Sequence, residues 1–456
     1  MKKETDRVTI SRKIAFESLQ EVENGQYAED ILLSKLAHKE VSAEDRSLVT
    51  EIVYGAIRWK KRLDSLIDNR LKNKRKILKP EIRNILRIAF YQLLFLDRIP
   101  DHSAVHEAVA MSKQVLGGQF SGFVNAILRS ALRDPENMDP KPKNNPKSLA
   151  VYYSHPEWLV NRWVKEFGPE RAKNILEFNN QRANLTIRVN TIKVSINEVI
   201  SGFKETAIEF DIIDKNAAAL VLRRTQRPVS DLPGFKEGFF TVQDFASQMI
   251  APLLQPLPGH DILDLCGAPG GKSSHIAALV KNNARITLVD LNTKRIEEAK
   301  LNFERLGINC VKITQGDATR TSCFESLGQF DRILIDAPCS NLGVLRHNCE
   351  VKYRLSPGDL IKLSAKQLQI LSEASQALKN NGLIVYCVCS TSKEETFDVI
   401  EKFLAFHKNF VIDRIEPLNK CYSNFLTDNG CFFSFPPVEH ASLDGFFAAK
   451  LKMISD

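Results

Sequence analysis

Two cysteines stand where an apolar run gives way to a loop, and each has neighbours suited to chemistry. Cys339 lies in "DAPCSNLGVLR", residues 336–346, just after Ile333-Leu334-Ile335, with Asp336 and Pro338 beside it. Cys389 lies in "VYCVCSTSKEE", residues 385–395. The thiolate, not the thiol, attacks electrophiles, so a reactive cysteine needs surroundings that favour negative charge. Ser392 and Glu395 have capping-box spacing, and a helix starting there would place its positive dipole end next to Cys389. Cys387, inside the apolar run, reads as a small core residue. Two thiols and the acid Asp336 are thus expected at neighbouring strand ends, facing one pocket.

A second group of residues has the character of a ligand loop. In "LCGAPGGKSSHIAALV", residues 265–280, Gly267, Gly270 and Gly271 let the backbone turn tightly and approach a ligand at the start of a helix, where free amides favour a carboxylate or phosphate. The spacing is neither G-x-G-x-x-G nor G-x-x-x-x-G-K-[ST], which argues against a dinucleotide or a nucleoside triphosphate. Asp290 closes the run "RITLVD" and suits a ribose diol; Asp317 follows "CVKITQ" and suits an adenine amino group. Any one of these acids serves equally well as a helix cap or turn residue. In combination they describe a site for an adenosine-bearing ligand.

The elements that must carry these residues follow from periodicity. Beyond "GFFTVQDFASQMIAPLL", apolar strands alternate with helical stretches at "DILDLC", "RITLVD", "CVKITQ", "DRILID" and "LIVYCV", which predicts a doubly wound parallel sheet with ligands at its carboxyl edge. Residues 149–238 mix the aromatic-rich helix "PEWLVNRWVKEF" with the strands "LTIRVN" and "ALVLRR", a small α/β module. Residues 134–148, with prolines at 135, 140, 142 and 146, read as a linker. Residues 1–133 read as helix after helix; in one, Ile82, Ile85, Leu86, Ala89, Leu93 and Leu96 share a face, with Arg83 and Arg87 pointing elsewhere. The remainder, 239–456, is the domain expected to carry the chemistry.

A chain of 456 residues allows two or three domains, and 43% hydrophobic content is ample for their cores. The net charge is +8, and between Arg58 and Arg87 twelve Lys or Arg face three acids, Asp64, Asp68 and Glu81, a candidate phosphate-contact surface or simply a solvated basic face. All nine cysteines lie beyond residue 265, without paired C-x-x-C spacing, which fits free thiols in a reducing cytosol and no metal site. The start "MKKETDRVTISRK" has no apolar h-region and the run "IAFYQLLFL" is too short to span a bilayer, so a soluble cytoplasmic protein without a membrane partner is expected.

The motifs "LCGAPGGK", "LIDAPCSNLGVLR" and "CVCSTSKEE" resemble motifs I, IV and VI of the RNA cytosine-C5 methyltransferases. The front half, with "ILRIAFYQLLFLDRIPDHSAVHEAV" and "GFVNAILR", is similar to the antitermination-factor NusB fold. With "YSHPEWLVNRW", "LTIRVNT", "VQDFASQ" and "LDGFFAAKL", the resemblance covers nearly the whole chain and points to the bacterial Sun/Fmu/RsmB type. It implies a multidomain chain: an all-α NusB-like N-terminal domain, a small α/β RRM-like N1 module, and a C-terminal α/β Rossmann-like methyltransferase domain. It further implies S-adenosyl-L-methionine as cofactor, small-subunit ribosomal RNA as partner, no metal, and a monomer.

Residue by residue, the resemblance makes Cys389 the nucleophile that adds to carbon 6 of cytosine, Cys339 the thiol that assists breakdown of the adduct, and Asp336 the acid at the cytosine edge. Cofactor contacts carry over to Cys266, Gly267, Ala268, Pro269, Gly270, Gly271 and Lys272, then Asp290, Arg295, Asp317 and Asp336. Lys272 is expected to touch substrate or hold the pocket's charge, and Arg188 and Asn190 are expected RNA contacts. The chain departs from the pattern at Asn341, usually glycine, at His347 and Cys349, usually near an arginine and a proline, and at Val388, usually threonine. Asn tolerates positive φ, so the turn at 341 is expected to survive. The same reaction on transfer RNA, a DNA cytosine methyltransferase using Cys339, and a non-catalytic RNA-binding protein of antitermination type are the alternatives.

Overall fold

The computed structural model describes residues 8–37, 41–71, 77–136, 138–139, 141–214, 218–223, 228–417, 420–435 and 443–454. They form two compact units, one of residues 1–181 with 348–354, the other of 182–347 with 355–456.

The first unit is helical. Its centre is the helix Pro80–Phe95, opened by a proline that needs no amide partner at that position, with Ile82, Ile85, Leu86 and Ala89 buried. Arg87 departs from the sequence expectation that it points away from the core: it is buried, and its guanidinium donates to Asp64 at 2.7 Å and to Glu23 at 2.9 Å. Two acids from the helices Lys60–Asp68 and Ile10–Glu23 make that burial affordable. Lys60 pairs with Glu23 at 2.7 Å and Arg83 with Asp68 at 2.9 Å. Lys60, Arg83 and Arg87, three of the twelve cations between Arg58 and Arg87, are therefore matched internally. Lys72, Lys74, Arg75 and Lys76 of the "RLKNKRK" stretch lie outside the described residues.

The linker is shorter than its prolines suggest. Pro146 begins a helix that runs to Tyr152, capped by Asn145, which accepts from the Ser148 amide. That helix and its successors Glu157–Phe167 and Pro169–Asn179 group with the helical unit, whereas the sequence reading starts the small α/β module at 149. The reason is local: the Arg62 amide donates to Ser154 Oγ at 2.8 Å, Lys61 reaches the His155 carbonyl at 3.2 Å, and the Arg62 guanidinium lies 3.7 Å from the centre of the Tyr152 ring. Residues 348–354 also belong here. Cys349 is in the hydrophobic core, Lys352 donates to the Arg58 carbonyl at 3.0 Å, and Tyr353 to the Ser154 carbonyl at 2.8 Å.

The second unit holds two sheets. Strands β1 (Leu185–Val189), β2 (Phe210–Asp214), β3 (Ala219–Leu222) and β4 (Phe240–Val242) form a small antiparallel sheet in the order β2-β3-β1-β4. The larger sheet contains β5 (Asp261–Leu265), β6 (Arg285–Asp290), β7 (Val311–Gln315), β8 (Phe330–Asp336), β9 (Leu378–Val388), β10 (Phe410–Ile412), β11 (Phe432–Ser434) and β12 (Phe446–Met453). Its order is β10-β12-β9-β8-β5-β6-β7, with β11 paired to β12. Strands β5 to β9 run parallel, but β12 lies antiparallel to β9 and breaks the all-parallel expectation. Buried residues of the two sheet faces form separate cores, one with Ile262, Leu288, Leu334 and Val385, the other with Leu263, Val289, Ile333 and Ile384. This in-and-out alternation is why the strands read as continuous apolar runs. No described helix is long and apolar enough to cross a membrane.

Candidate active site

Parallel strands present their carboxyl ends at one edge, and here that edge gathers the residues singled out by chemistry. Asp336 ends β8 and pairs in register with Cys387 near the end of β9, so Cys389 and the loop after Asp336 emerge side by side. The sulfurs of Cys339 and Cys389 lie 3.3 Å apart. Asn341 Oδ1 accepts from Cys389 at 2.8 Å and stands 3.5 Å from Cys339 Sγ. Asn341 has φ +57°, so it occupies the left-handed turn expected of it and adds an amide to the thiol pair that glycine lacks. The hydrogen bond that the Cys339 thiol makes toward Cys389, reinforced by burial, pushes Cys339 well above its ordinary range, so Cys339 keeps its proton at neutral pH. Cys387 is fully buried as the core reading expected, although its sulfur lies 3.6 Å from Asp336 Oδ1.

Lys272 ends 2.7 Å from Asp336 Oδ2, with its ammonium 5.1 Å above the Phe446 ring. Burial by itself would strip the ammonium of charge, but Asp336 holds the Lys272 pKa above its usual value. Lys272 thus fixes the Asp336 carboxylate, for which the resemblance implies a place at the cytosine edge.

The loop after β5 is built by strain and close approach. Cys266 has φ +57° and Gly270 φ +90°. A Cβ on Gly267 would meet the Asp264 carboxylate at 2.6 Å, so only glycine fits. Burial pushes the Cys266 thiol up to about 12, which makes it an inert wall. Asp290, almost fully buried, accepts the Ala268 amide at 3.1 Å on one oxygen and the Asn292 amide at 2.9 Å on the other. Asp317 is half-buried; the Thr319 hydroxyl at 2.7 Å and amide at 3.1 Å hold its carboxyl below the usual range. Arg295 is exposed on the helix Thr293–Leu306.

Two further acids matter that the motifs did not flag. Asp264, fully buried inside β5, accepts from Ser273 Oγ at 2.5 Å, and burial pushes it up to about 7 despite that bond. An acid in the middle of the apolar run Ile262-Leu263-Asp264-Leu265 was the available signal. Glu395 does not cap a helix with Ser392. The α-helix begins only at Phe397, the Ser392 hydroxyl donates to Glu394 at 2.6 Å, and the Glu395 carboxylate turns inward to Ser340, Ser390 and Gln367. Only the single 3-10 turn Lys393–Glu395 follows Cys389, and the nearest α-helix end lies beyond it.

Arg188 and Asn190, expected to touch RNA, face inward. Arg188 is 3% exposed and donates to Gln243 Oε1 at 2.7 Å and Ser274 Oγ at 2.8 Å; Asn190 donates to the carbonyls of Gly238 at 2.9 Å and Leu306 at 2.8 Å. They tie the small sheet to the helices Gly271–Leu279 and Thr293–Leu306 of the larger domain. Burial brings the Arg188 guanidinium down to about 9, still charged at neutral pH. Arg188→Ala is expected to lower stability by about 2 kcal/mol, because it strands two buried polar partners, and to leave RNA affinity per folded molecule unchanged. Thermal melts and filter binding on the same preparation check it.

His347 finds its place against Asp444, 2.6 Å away, where Arg346 also pairs at 2.8 Å. With Asp244 these form a group of metal-ligand composition whose donor atoms lie within 4.8 Å, but Asp444 already neutralises Arg346.

Comparison with known proteins bears on this geometry. The family model "16S rRNA methyltransferase RsmB/F" matches residues 251–452, the NusB family residues 9–133, and an RsmF/B-like ferredoxin-like domain residues 155–230. The probable ribosomal RNA small subunit methyltransferase B of Bacillus subtilis is 35% identical over 406 residues, 89% of this chain and 90% of that protein. The chain belongs to the RsmB/F methyltransferase family. The ribosomal RNA small subunit methyltransferase B of Pasteurella multocida is 36% identical over 425 residues, covering 91% and 90% of the two chains. The crystal structure of PH0851 matches 98% of this chain and 99% of its own with a TM-score of 0.81 at 26% identity. The NusB-like and Rossmann-like parts expected from sequence are thus present, and the small α/β module expected between them matches a ferredoxin-like domain.

RsmB/F enzymes are S-adenosyl-L-methionine-dependent methyltransferases, and the residues here fit that cofactor. The glycine-cleared loop from Cys266 to Lys272 lies between β8 and β6 in the sheet order, with Asp336, Asp290 and Asp317 at or just past the ends of neighbouring strands. Each carboxylate keeps lone pairs beyond the bonds named, as a ribose diol and an adenine amine require.

Proposed function

We propose that this chain methylates carbon 5 of a cytosine in small-subunit ribosomal RNA through a covalent bond between Cys389 and carbon 6. The observation that supports this most is the pair of thiols 3.3 Å apart at adjacent strand ends, beside the Asp336–Lys272 ion pair. A single thiol would serve addition alone; two suit a reaction that must both make and break a carbon–sulfur bond.

Carbon 5 of cytosine is a poor nucleophile. Addition of the Cys389 thiolate to carbon 6 moves the ring electrons onto carbon 5 and makes it one. Asn341, which accepts the Cys389 proton side at Oδ1, can turn its amide over and donate from Nδ2 once that proton is gone. Asp336 meets the Watson–Crick edge, accepting from the exocyclic amine, with Lys272 fixing one of its oxygens. Bound S-adenosyl-L-methionine supplies the methyl group on a sulfonium. Loss of the carbon-5 proton to water, with the carbon–sulfur electron pair leaving on sulfur, then restores the ring and returns Cys389 as the thiolate that attacked. Cys339 serves that breakdown, since its protonated sulfur stands next to the one that must leave.

Bisulfite mapping of RNA from cells with and without this protein tests the reading. One cytosine of the small-subunit ribosomal RNA is expected to lose its protection in the deletion. Loss confined to transfer RNA would move the assignment to that substrate, and no loss in any RNA would end it.

A further inference from the structure

Each thiol is followed by a serine, and both serines reach the same buried carboxylate. Glu395 is fully buried. One oxygen accepts the Ser340 amide at 2.8 Å and Gln367 Nε2 at 3.1 Å; the other accepts the hydroxyls of Ser340 and Ser390, each at 2.5 Å. The two serine hydroxyls are themselves 3.1 Å apart, and Gln367 also donates to the Pro338 carbonyl at 3.0 Å. Two backbone bonds also tie the loops, from the Ala337 amide to the Cys387 carbonyl and from the Gly343 amide to the Cys389 carbonyl, both 3.0 Å, beside the sulfur contacts of Cys389 with Asn341 and Cys339. Glu395 is thus the one acidic side chain among the described residues that grips the residue after Cys339 and the residue after Cys389 together.

We propose that Glu395 is a positioning residue: it sets the register of the two loops, and so the distance between the sulfurs, and its charge keeps the proton of the thiol pair on Cys339. The inference rests on Cys389 being the attacking group. A buried carboxylate is costly unless its lone pairs are filled, and here four donors fill them, so the loops cannot separate without leaving that charge bare. The charge lies behind Cys339, whose amide neighbour Ser340 it binds, and adds to the burial and the Cys389 contact that hold the Cys339 proton in place. The other groups facing the pair are Tyr386, whose hydroxyl donates to the Glu395 carbonyl at 2.7 Å, the Asn341 amide, and Lys272 on the far side with Asp336.

The test compares Glu395→Ala and Glu395→Gln by two readouts, each with a melting curve. In steady-state methylation, Glu395→Ala is expected to lower kcat by about 10²-fold with KM for RNA within twofold, because the reacting sulfurs lose their alignment. Glu395→Gln keeps the shape and an acceptor for the Ser340 amide, and is expected to recover at least tenfold of that loss. In the second readout, iodoacetamide labelling of each thiol is followed by peptide mass spectrometry across pH. Glu395→Gln is expected to bring the Cys339 midpoint down by about one pH unit. Should Glu395→Ala misfold, Ser390→Ala removes one donor from the bridge and is expected to cost about tenfold in kcat. Unchanged kcat in both alanine variants, or a Cys339 labelling curve that Glu395→Gln leaves in place, overturns the proposal. Labelling needs no RNA, so it reports on Glu395 even if Cys389 turns out not to attack.

Discussion

Cys389→Ala is expected to abolish methyl transfer, by on the order of 10⁴-fold or more, and to leave no covalent RNA–protein complex. Carbon 5 cannot be activated without an addition at carbon 6, so no neighbouring group compensates. Cys339 does not step in, because burial and the contact from its partner keep it protonated, and that partner's loss relieves only part of the effect. The variant should fold normally: Cys389 is only partly buried, and among the described residues its sulfur bonds to Asn341 and Cys339 alone. S-adenosyl-L-methionine binding, measured by calorimetry, is expected to persist, since the loop Cys266–Lys272 and Asp290 make their contacts without it. The check is a denaturing gel with radiolabelled RNA carrying 5-fluorocytidine, which retains the adduct. A shifted band in Cys389→Ala would hand the role of nucleophile to Cys339 and favour the arrangement of the DNA enzymes.

What made the site readable was the abrupt end of apolar runs in residues of a different kind. Leu265 gives way to Cys266, Val289 to Asp290 and Ile335 to Asp336, and in a buried parallel sheet such a change marks the carboxyl edge where ligands collect. The direction of β12 was not readable in the same way, because "FFAAKL" is as apolar in an antiparallel strand as in a parallel one. Arg188 and Glu395 show a different limit. Alternation along "LTIRVN" leaves open whether an arginine faces water or a neighbour, and the partners that decide it, Gln243 and Ser274, lie 55 and 86 residues away. The spacing of Ser392 and Glu395 is that of a cap, yet the carboxylate turned to donors 55 and 28 residues distant, Ser340 and Gln367. Local pattern fixes where a polar residue sits in its element; long-range hydrogen bonding decides which way it faces.

Cys339→Ala is expected to do the opposite of Cys389→Ala: RNA should accumulate as a covalent complex stable to denaturation, while turnover falls by about 10²- to 10³-fold. Addition needs only Cys389 and the contacts of Asp336 and Asn341, which the alanine leaves standing. Breakdown needs the carbon–sulfur bond to part, and the departing sulfur then lacks the protonated neighbour 3.3 Å away. Because the Cys339 proton is held well above the ordinary thiol range, raising the pH from 7 to 9 should not reproduce the trap in the natural protein, whereas deleting the side chain does. Single-turnover kinetics separate the two halves: adduct appears at close to the natural rate and decays slowly. The double variant Cys389→Ala with Cys339→Ala should show no complex at all, which places the bond on residue 389. If Cys339→Ala instead turned over normally with no trapped RNA, the second thiol would be packing and the two-sulfur mechanism would have to be given up.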